Sequence, residues 1–234
     1  MFPSPDEIEN SVFQIGITLK RLGETDIFNH TCLCLKDTDA VDGAEIHVFE
    51  TECDLLVGFS EFLRSNDVDI MTGWNIFGFD LEFIFKRAAI TRCPRAFYEL
   101  GKLKGVDSDM VYKQLSSSAL GDNMLKLLPM PGRYIFDLFH EVKREKKLDS
   151  YKLDYVAEKY LGDRKIDVSP KEIFAAYASN DPARLGRVAE YCVKDTILPH
   201  RLVDKLCVLL NLIEMANATY VPLCYLSERG QQIK

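Results

Sequence analysis

A chain of 234 residues, 47% hydrophobic and 28% charged, can bury a sizeable core in one good-sized domain, or in one domain and part of a second, and lacks the composition of a disordered polymer. Its net charge of −7 argues against a stand-alone nucleic-acid binder, which is usually basic. That charge does not exclude an enzyme that meets nucleic acid through metal ions held by carboxylates, whereas a membrane protein is not expected: no run approaches the ~18 apolar residues of a spanning helix.

The acidic start, Met1 to Asn10, has neither the basic flank nor the apolar run of a signal peptide. The seven cysteines are odd in number and form no Cys-x-x-Cys pair, so they read as reduced thiols of an intracellular protein. Cys32 and Cys34 stand two apart in an apolar run; on a strand they share one face, as buried core thiols do.

The first half of the chain predicts strands. Val12 to Leu19 comes first, then Thr31 to Leu35, then Ala44 to Phe49, separated by the turn-type clusters Gly23 to Asp26 and Asp37 to Gly43. Thr51 with Asp54 three residues on resembles a capping box, and Leu55, Leu56, Phe59, Phe62 and Leu63 follow at helical spacing. Asp69 to Thr72 predicts a fourth strand and Leu81 to Ala89 a helix. Residues 101–132 are irregular, with Ser116 to Ser118, Gly121-Asp122-Asn123 and Pro129 to Gly132, and suit a surface insertion or hairpin. Tyr134 to Asp137 predicts a fifth strand. Helices are then expected over Leu138 to Lys146, Tyr151 to Tyr160 and Lys171 to Ala178. A long helical stretch runs from Pro182 toward Asn217, kinked or broken at Pro199, and ends by Val221-Pro222.

Two acidic motifs carry the chemistry. One is Gly73-Trp74-Asn75-Ile76-Phe77-Gly78-Phe79-Asp80; the other is Tyr191-Cys192-Val193-Lys194-Asp195. Hydrolysis of a phosphodiester by two divalent ions roughly 3.5–4 Å apart needs about four acidic groups gathered from several elements. By position alone Asp80 reads as a carboxylate at a helix N-terminus, where it caps and favours the dipole. Tyr191 and Asp195 lie one helical turn apart, about 5–6 Å at Cβ. Seen alone they are an ordinary surface pair, although a tyrosine hydroxyl beside a carboxylate can orient a water for in-line attack.

Further segments fall in a matching order: Phe2-Pro3-Ser4-Pro5 with Val12-Phe13-Gln14-Ile15, then Ser150 to Asp154, Tyr160-Leu161-Gly162, Tyr191 to Pro199, Glu214-Met215-Ala216, Val221-Pro222 and Ser227 to Gln232. Taken together the chain resembles the family B DNA polymerases over nearly its whole length, most of all the delta-type replicative enzymes of eukaryotes and large DNA viruses. The resemblance implies an α/β, ribonuclease H-like fold: a mixed sheet of about five strands flanked by helices, with the family's first strand partly or wholly missing. It implies an exonuclease domain over 1–212 and the start of a truncated polymerase module over 213–234.

The implied function is 3′–5′ proofreading in DNA replication. Asp80, Tyr191 and Asp195 match catalytic positions, Asp80 and Asp195 match holders of two Mg2+ or Mn2+ ions, and Asn75 and Phe79 match positions near the primer end. Implied partners are DNA, with its single-stranded primer 3′ end, the remainder of the polymerase and replication accessory subunits, in the nucleus or at a viral replication site, with no membrane. The family's Asp-x-Glu would fall a few residues before Met1, and Asp6-Glu7 and Glu9 follow Pro3 and Pro5, on the wrong side of it. Without that strand a central sheet position is expected to stand empty between two unpaired edges. The chain alone is then expected to be inactive; the alternative is a catalytically dead module that binds single-stranded DNA or a partner chain.

The remaining features carry less. Lys143 to Lys147 reads as a solvated helix end that can meet phosphate, the four histidines have no metal-ligand spacing, Trp74 is expected to pack, and Cys192 has no base near it in sequence.

Overall fold

The structure, a computed structural model, describes residues 3–7, 9–117, 121–163 and 168–228. Phe2, Ser118 and the Arg229 to Gln232 part of the polymerase-like tail lie outside the described residues.

Strands β1 (Gln14–Lys20), β2 (Ile27–Cys34) and β3 (Glu45–Val48) form one sheet in that order, β1 antiparallel and β3 parallel to β2. Helix α1 (Glu52–Ser65) leads to β4 (Ile70–Gly73), then to α2 (Asp80–Ile90) and the short α3 (Arg95–Tyr98). β5 (Val111–Ser117) and β6 (Gly121–Leu127) make a separate antiparallel hairpin. β7 (Tyr134–Asp137) returns to pair in parallel with β4. The rest is helical: α4 (Leu138–Glu145), α5 (Leu153–Leu161), α6 (Pro170–Ser179), α7 (Pro182–Lys205), α8 (Val208–Thr219) and α9 (Leu223–Glu228).

Side-chain alternation divides the core into layers. On β1, Ile15 and Ile17 point toward Leu55, Leu56, Phe59, Leu81 and Ile84 of α1 and α2. Leu33 of β2 joins that layer, while its neighbours Cys32 and Cys34 face Ala189 and Val193 of α7. Across β4 and β7 the same rule holds: Met71 and Ile135 join the α1/α2 layer, and Ile70 and Phe136 pack with Leu138, Val142, Val156, Leu202 and Leu212. Helices therefore cover both faces of the strands, as a ribonuclease H-like arrangement requires.

The five expected strands are all present as β1, β2, β3, β4 and β7, but not as one sheet. They form a three-stranded and a two-stranded sheet. Among the described residues no strand pairs with the outer edge of β1 or with that of β4. Both strands, with α7, the second half of α1 and the first half of α2, line one cavity of about 750 Å3. The single five-stranded sheet is thus corrected to two sheets facing a slot, since each ladder needs a strand on both sides to be continuous.

Pro199 does not break the long helix: α7 runs through it to Lys205. The break falls at Leu206–Cys207, where Cys207 takes a left-handed φ of 52°. Proline removes one N–H but spares the rest of the ladder when neighbouring packing holds the helix; Leu198, Pro199 and Leu202 are all buried. Thr51 caps α1 through the Asp54 N–H at 3.1 Å, although Asp54 returns its carboxylate to the Thr51 hydroxyl and not to its N–H.

A buried ion pair fastens the beginning of the chain. Glu52 on α1 accepts from Arg87 of α2 at 2.6 and 2.9 Å and from the Val12 N–H at 2.7 Å. Arg87 also donates to the carbonyls of Pro5 and Glu7, both at 3.0 Å. The entry into β1 is held at the mouth of the slot by these bonds, Pro3, Glu9 and Asn10 being among the lining residues.

Candidate active site

The motif Gly73 to Asp80 is a tight connection from β4 into α2. Asn75 sits at φ 63°, a left-handed conformation that asparagine tolerates better than most residues. A side chain at Gly78 would strike the Asn75 carboxamide, so the glycine lets the turn close. The turn is clamped by Asp137 at the end of β7, whose two carboxylate oxygens accept the N–H groups of Asn75 at 2.8 Å and Phe77 at 2.9 Å. The same carboxylate caps α4 by accepting the Phe139 N–H at 3.0 Å. Burial pushes Asp137 up to about 7 against the pull of these three N–H donors, with Asp80 adding like-charge repulsion.

Asp80 is the first residue of α2, with Phe79 in the cap position and no side-chain cap bond. Standing one residue inside the cap position, its carboxylate meets its own backbone N–H, one of the first-turn donors, and favours the helix dipole. The carboxylate opens into the slot, where water can reach it, yet the concave wall crowds it with protein atoms. That crowding pushes it up to about 6, with only its own backbone N–H pulling the other way.

Tyr191 and Asp195 lie one turn apart on α7, both half-buried, and both line the same slot as Asp80 and Phe79. α7 is held on β1 by several bonds. Gln14 donates to the Leu185 carbonyl at 3.0 Å, the Thr18 hydroxyl donates to the Thr196 carbonyl at 3.2 Å, and His200 lies 3.2 Å from the Thr18 carbonyl. At Gly16 the helix comes so close that a Cβ would lie 2.9 Å from the Cys192 carbonyl oxygen. Pro199, four residues after Asp195, offers no N–H to its carbonyl, a local irregularity on the active face.

Asn75 and Phe79 border a smaller hollow of about 310 Å3 with Pro3, Pro5, Gly78, Glu82, Phe83 and Lys126. Phe79 stacks obliquely on Phe83 with ring centroids 5.1 Å apart, so it also anchors α2. Glu82 ties the β5–β6 hairpin to α2, accepting from Tyr112 at 3.0 Å and Lys126 at 2.7 Å. The basic run after Lys143 is partly engaged: Lys143 lies over Phe139, and Arg144 binds Glu141 and the Leu226 carbonyl. Trp74 packs edge-on against Phe139 at 6.0 Å.

All five sequence-predicted site residues thus border these two hollows, and four of them, Phe79, Asp80, Tyr191 and Asp195, share the larger one. Asp137 was missed as an organiser of the site. Its signal was present, a carboxylate between an apolar strand and a helix start, but the partner turn lies about 60 residues away, at separations of 60 and 62.

The donors suit a hard divalent ion in kind: carboxylates lining one slot, with Asp80 raised by crowding that a cation would relieve. They do not suit it in number, because among the described residues no group of three or more His, Cys, Asp or Glu is placed to hold one.

The layered strands and the slot bordered by Asp80 and Asp195 define a mixed α/β domain with an acidic cleft. Residues 1–156 match the model of the DNA polymerase family B exonuclease domain. The catalytic subunit of DNA polymerase delta from Bos taurus is 39% identical over 234 residues, all of this chain and 21% of the relative. That of Dictyostelium discoideum is 38% identical over the same length and shares. The DNA polymerase of Pyramimonas orientalis virus is 34% identical across 95% of this chain and 23% of its own length. The chain belongs to the family B DNA polymerases, as an exonuclease domain of delta type, and spans about a fifth of the length of the curated relatives it matches.

Proposed function

We propose that this chain contributes the 3′–5′ proofreading site of a replicative polymerase and acts on the single-stranded 3′ end of DNA. The observation that carries this reading is the convergence of Asp80, Tyr191 and Asp195 on one slot from the start of α2 and the middle of α7. Asp80 and Asp195 would supply part of the donor set for Mg2+ or Mn2+, which in such sites stabilises the charge that develops on the attacking and leaving oxygens. Tyr191 orients the attacking water through its hydroxyl. Asn75 and Phe79 position the terminal nucleotide beside the first turn of α2. We place the exonuclease unit at 1–212 and the start of the polymerase module at 213–234. Accessory replication subunits and a nuclear or viral replication site belong to the same proposal.

The slot between β1 and β4 and the short metal-donor set favour a second reading for the chain by itself, an inactive module that binds single-stranded DNA or a partner. One experiment separates them. A chain preceded by a strand carrying Asp-x-Glu is assayed on a labelled single-stranded oligonucleotide, beside the chain alone, with Mg2+ or Mn2+. Cleavage from the 3′ end that falls at least ~100-fold in Asp80→Ala and Asp195→Ala supports the nuclease. Retained DNA binding with no cleavage in either form supports the second reading.

A further inference from the structure

Three thiols meet where α7 crosses the sheet. Cys32 and Cys34, on the α7 face of β2, are fully buried with their sulfurs 3.6 Å apart. Gly16 of β1 is the cross-strand partner of Cys32. A Cβ on Gly16 would lie 2.8 Å from the Cys192 sulfur, so that thiol fills the space over the glycine, beside Cys32. Gly16 and Cys192 also line the slot, so of these three thiols the half-buried Cys192 is the one that a small reagent meets first.

We propose that Cys192 and Cys32 form a reversible modification site, a disulfide that ties α7 to the middle of the sheet one residue from Tyr191. The co-reactant is a small disulfide such as oxidised glutathione. Cys192 attacks one of its sulfurs and releases one glutathione thiol, giving a mixed disulfide. Cys32 then attacks the Cys192 sulfur, the second glutathione leaves, and the Cys32–Cys192 bond remains. Two thiols have lost two protons and two electrons, and one glutathione disulfide has become two thiols. A bridge between Cys32 and Cys34 is disfavoured, because residues two apart on a strand hold their Cα atoms about 6.6–6.8 Å apart, at the upper limit of disulfide geometry.

The test is oxidation of the folded full chain by oxidised glutathione, with circular dichroism confirming the fold, then alkylation and mass spectrometry of unreduced proteolytic peptides. The expected result is a peptide pair joining Cys32 to Cys192, reversed by reductant and accompanied by slower amide exchange around Tyr191. Cys34→Ser is expected to keep the bridge, and Cys192→Ser to leave Cys32 and Cys34 as free thiols. A stable glutathione adduct on Cys192, a Cys32–Cys34 bridge, or unmodified thiols in the folded protein each overturn the proposal. The wild-type measurement decides the matter even if a variant fails to fold.

Discussion

Replacing Asp137 by alanine would remove one small side chain and strand the N–H groups of Asn75, Phe77 and Phe139, now bound at 2.8, 2.9 and 3.0 Å. Each buried donor left without an acceptor costs about 1–3 kcal/mol. Loss of the α4 cap is contained in the Phe139 bond and is not counted again. Against this stands relief from a carboxylate that burial disfavours enough to raise it to about 7. The balance is a loss of about 3–4 kcal/mol, a large share of the ~5–15 kcal/mol that holds a domain of this kind together. Asp137→Asn is expected to lose about half as much. Its carboxamide oxygen can still accept from Asn75 and Phe139, while its NH2 group faces the Phe77 N–H. Urea unfolding gives the totals, and amide exchange at the three stranded positions gives the location. A loss under ~1 kcal/mol for Asp137→Ala, with unchanged exchange at Asn75 and Phe77, would refute the clamp.

Other expectations follow from the same physical reasoning. Asp137 and Glu141 are both pushed up to about 7 by burial, well above their ordinary values of 3.8 and 4.5, so the folded chain keeps protons that the unfolded chain gives up. Stability should therefore fall as pH rises from about 6.5 to about 7.5, through the raised values of the two carboxyls, which outweigh the opposing and fading effect of the two down-shifted histidines, His140 and His200. A melting temperature that is flat or rising across that window contradicts the assignment, and Asp137→Asn should flatten the slope. Arg87→Ala would leave Glu52 charged and buried and release the carbonyls of Pro5 and Glu7. A loss of about 3–5 kcal/mol is expected, with early proteolysis before Val12; equal stability would show the pair to be dispensable. Gly16→Ala would set a methyl 2.8–2.9 Å from the Cys192 sulfur and carbonyl, and should cost about 1–3 kcal/mol as α7 lifts from β1. A variant as stable as the parent would mean that the contact is loose.

The strands β1, β2, β3, β4 and β7 were legible from period-two apolar runs between turn clusters, and α1, α2 and α7 from helical spacing, because both periodicities are local. The motif residues Asp80, Tyr191 and Asp195 were legible as types at a spacing, and their family order gave the exonuclease class. Their meeting in one slot was not, since Asp80 and Asp195 lie far apart in the chain and only the packing of α7 across β1 brings them to a common cavity. The clamp of Asp137 on the Asn75 turn, the Glu52–Arg87 staple and the triad of thiols under α7 are likewise contacts between distant segments. Pro199 shows the limit from the other side: proline lacks a donor wherever it stands, but whether a helix survives it depends on the burial around it, here that of Leu198 and Leu202. Sequence determined which elements this chain makes and which chemistry its residues can offer. Tertiary structure decided that five strands stand as two sheets around a slot, because pairing and burial depend on neighbours that local sequence does not contain.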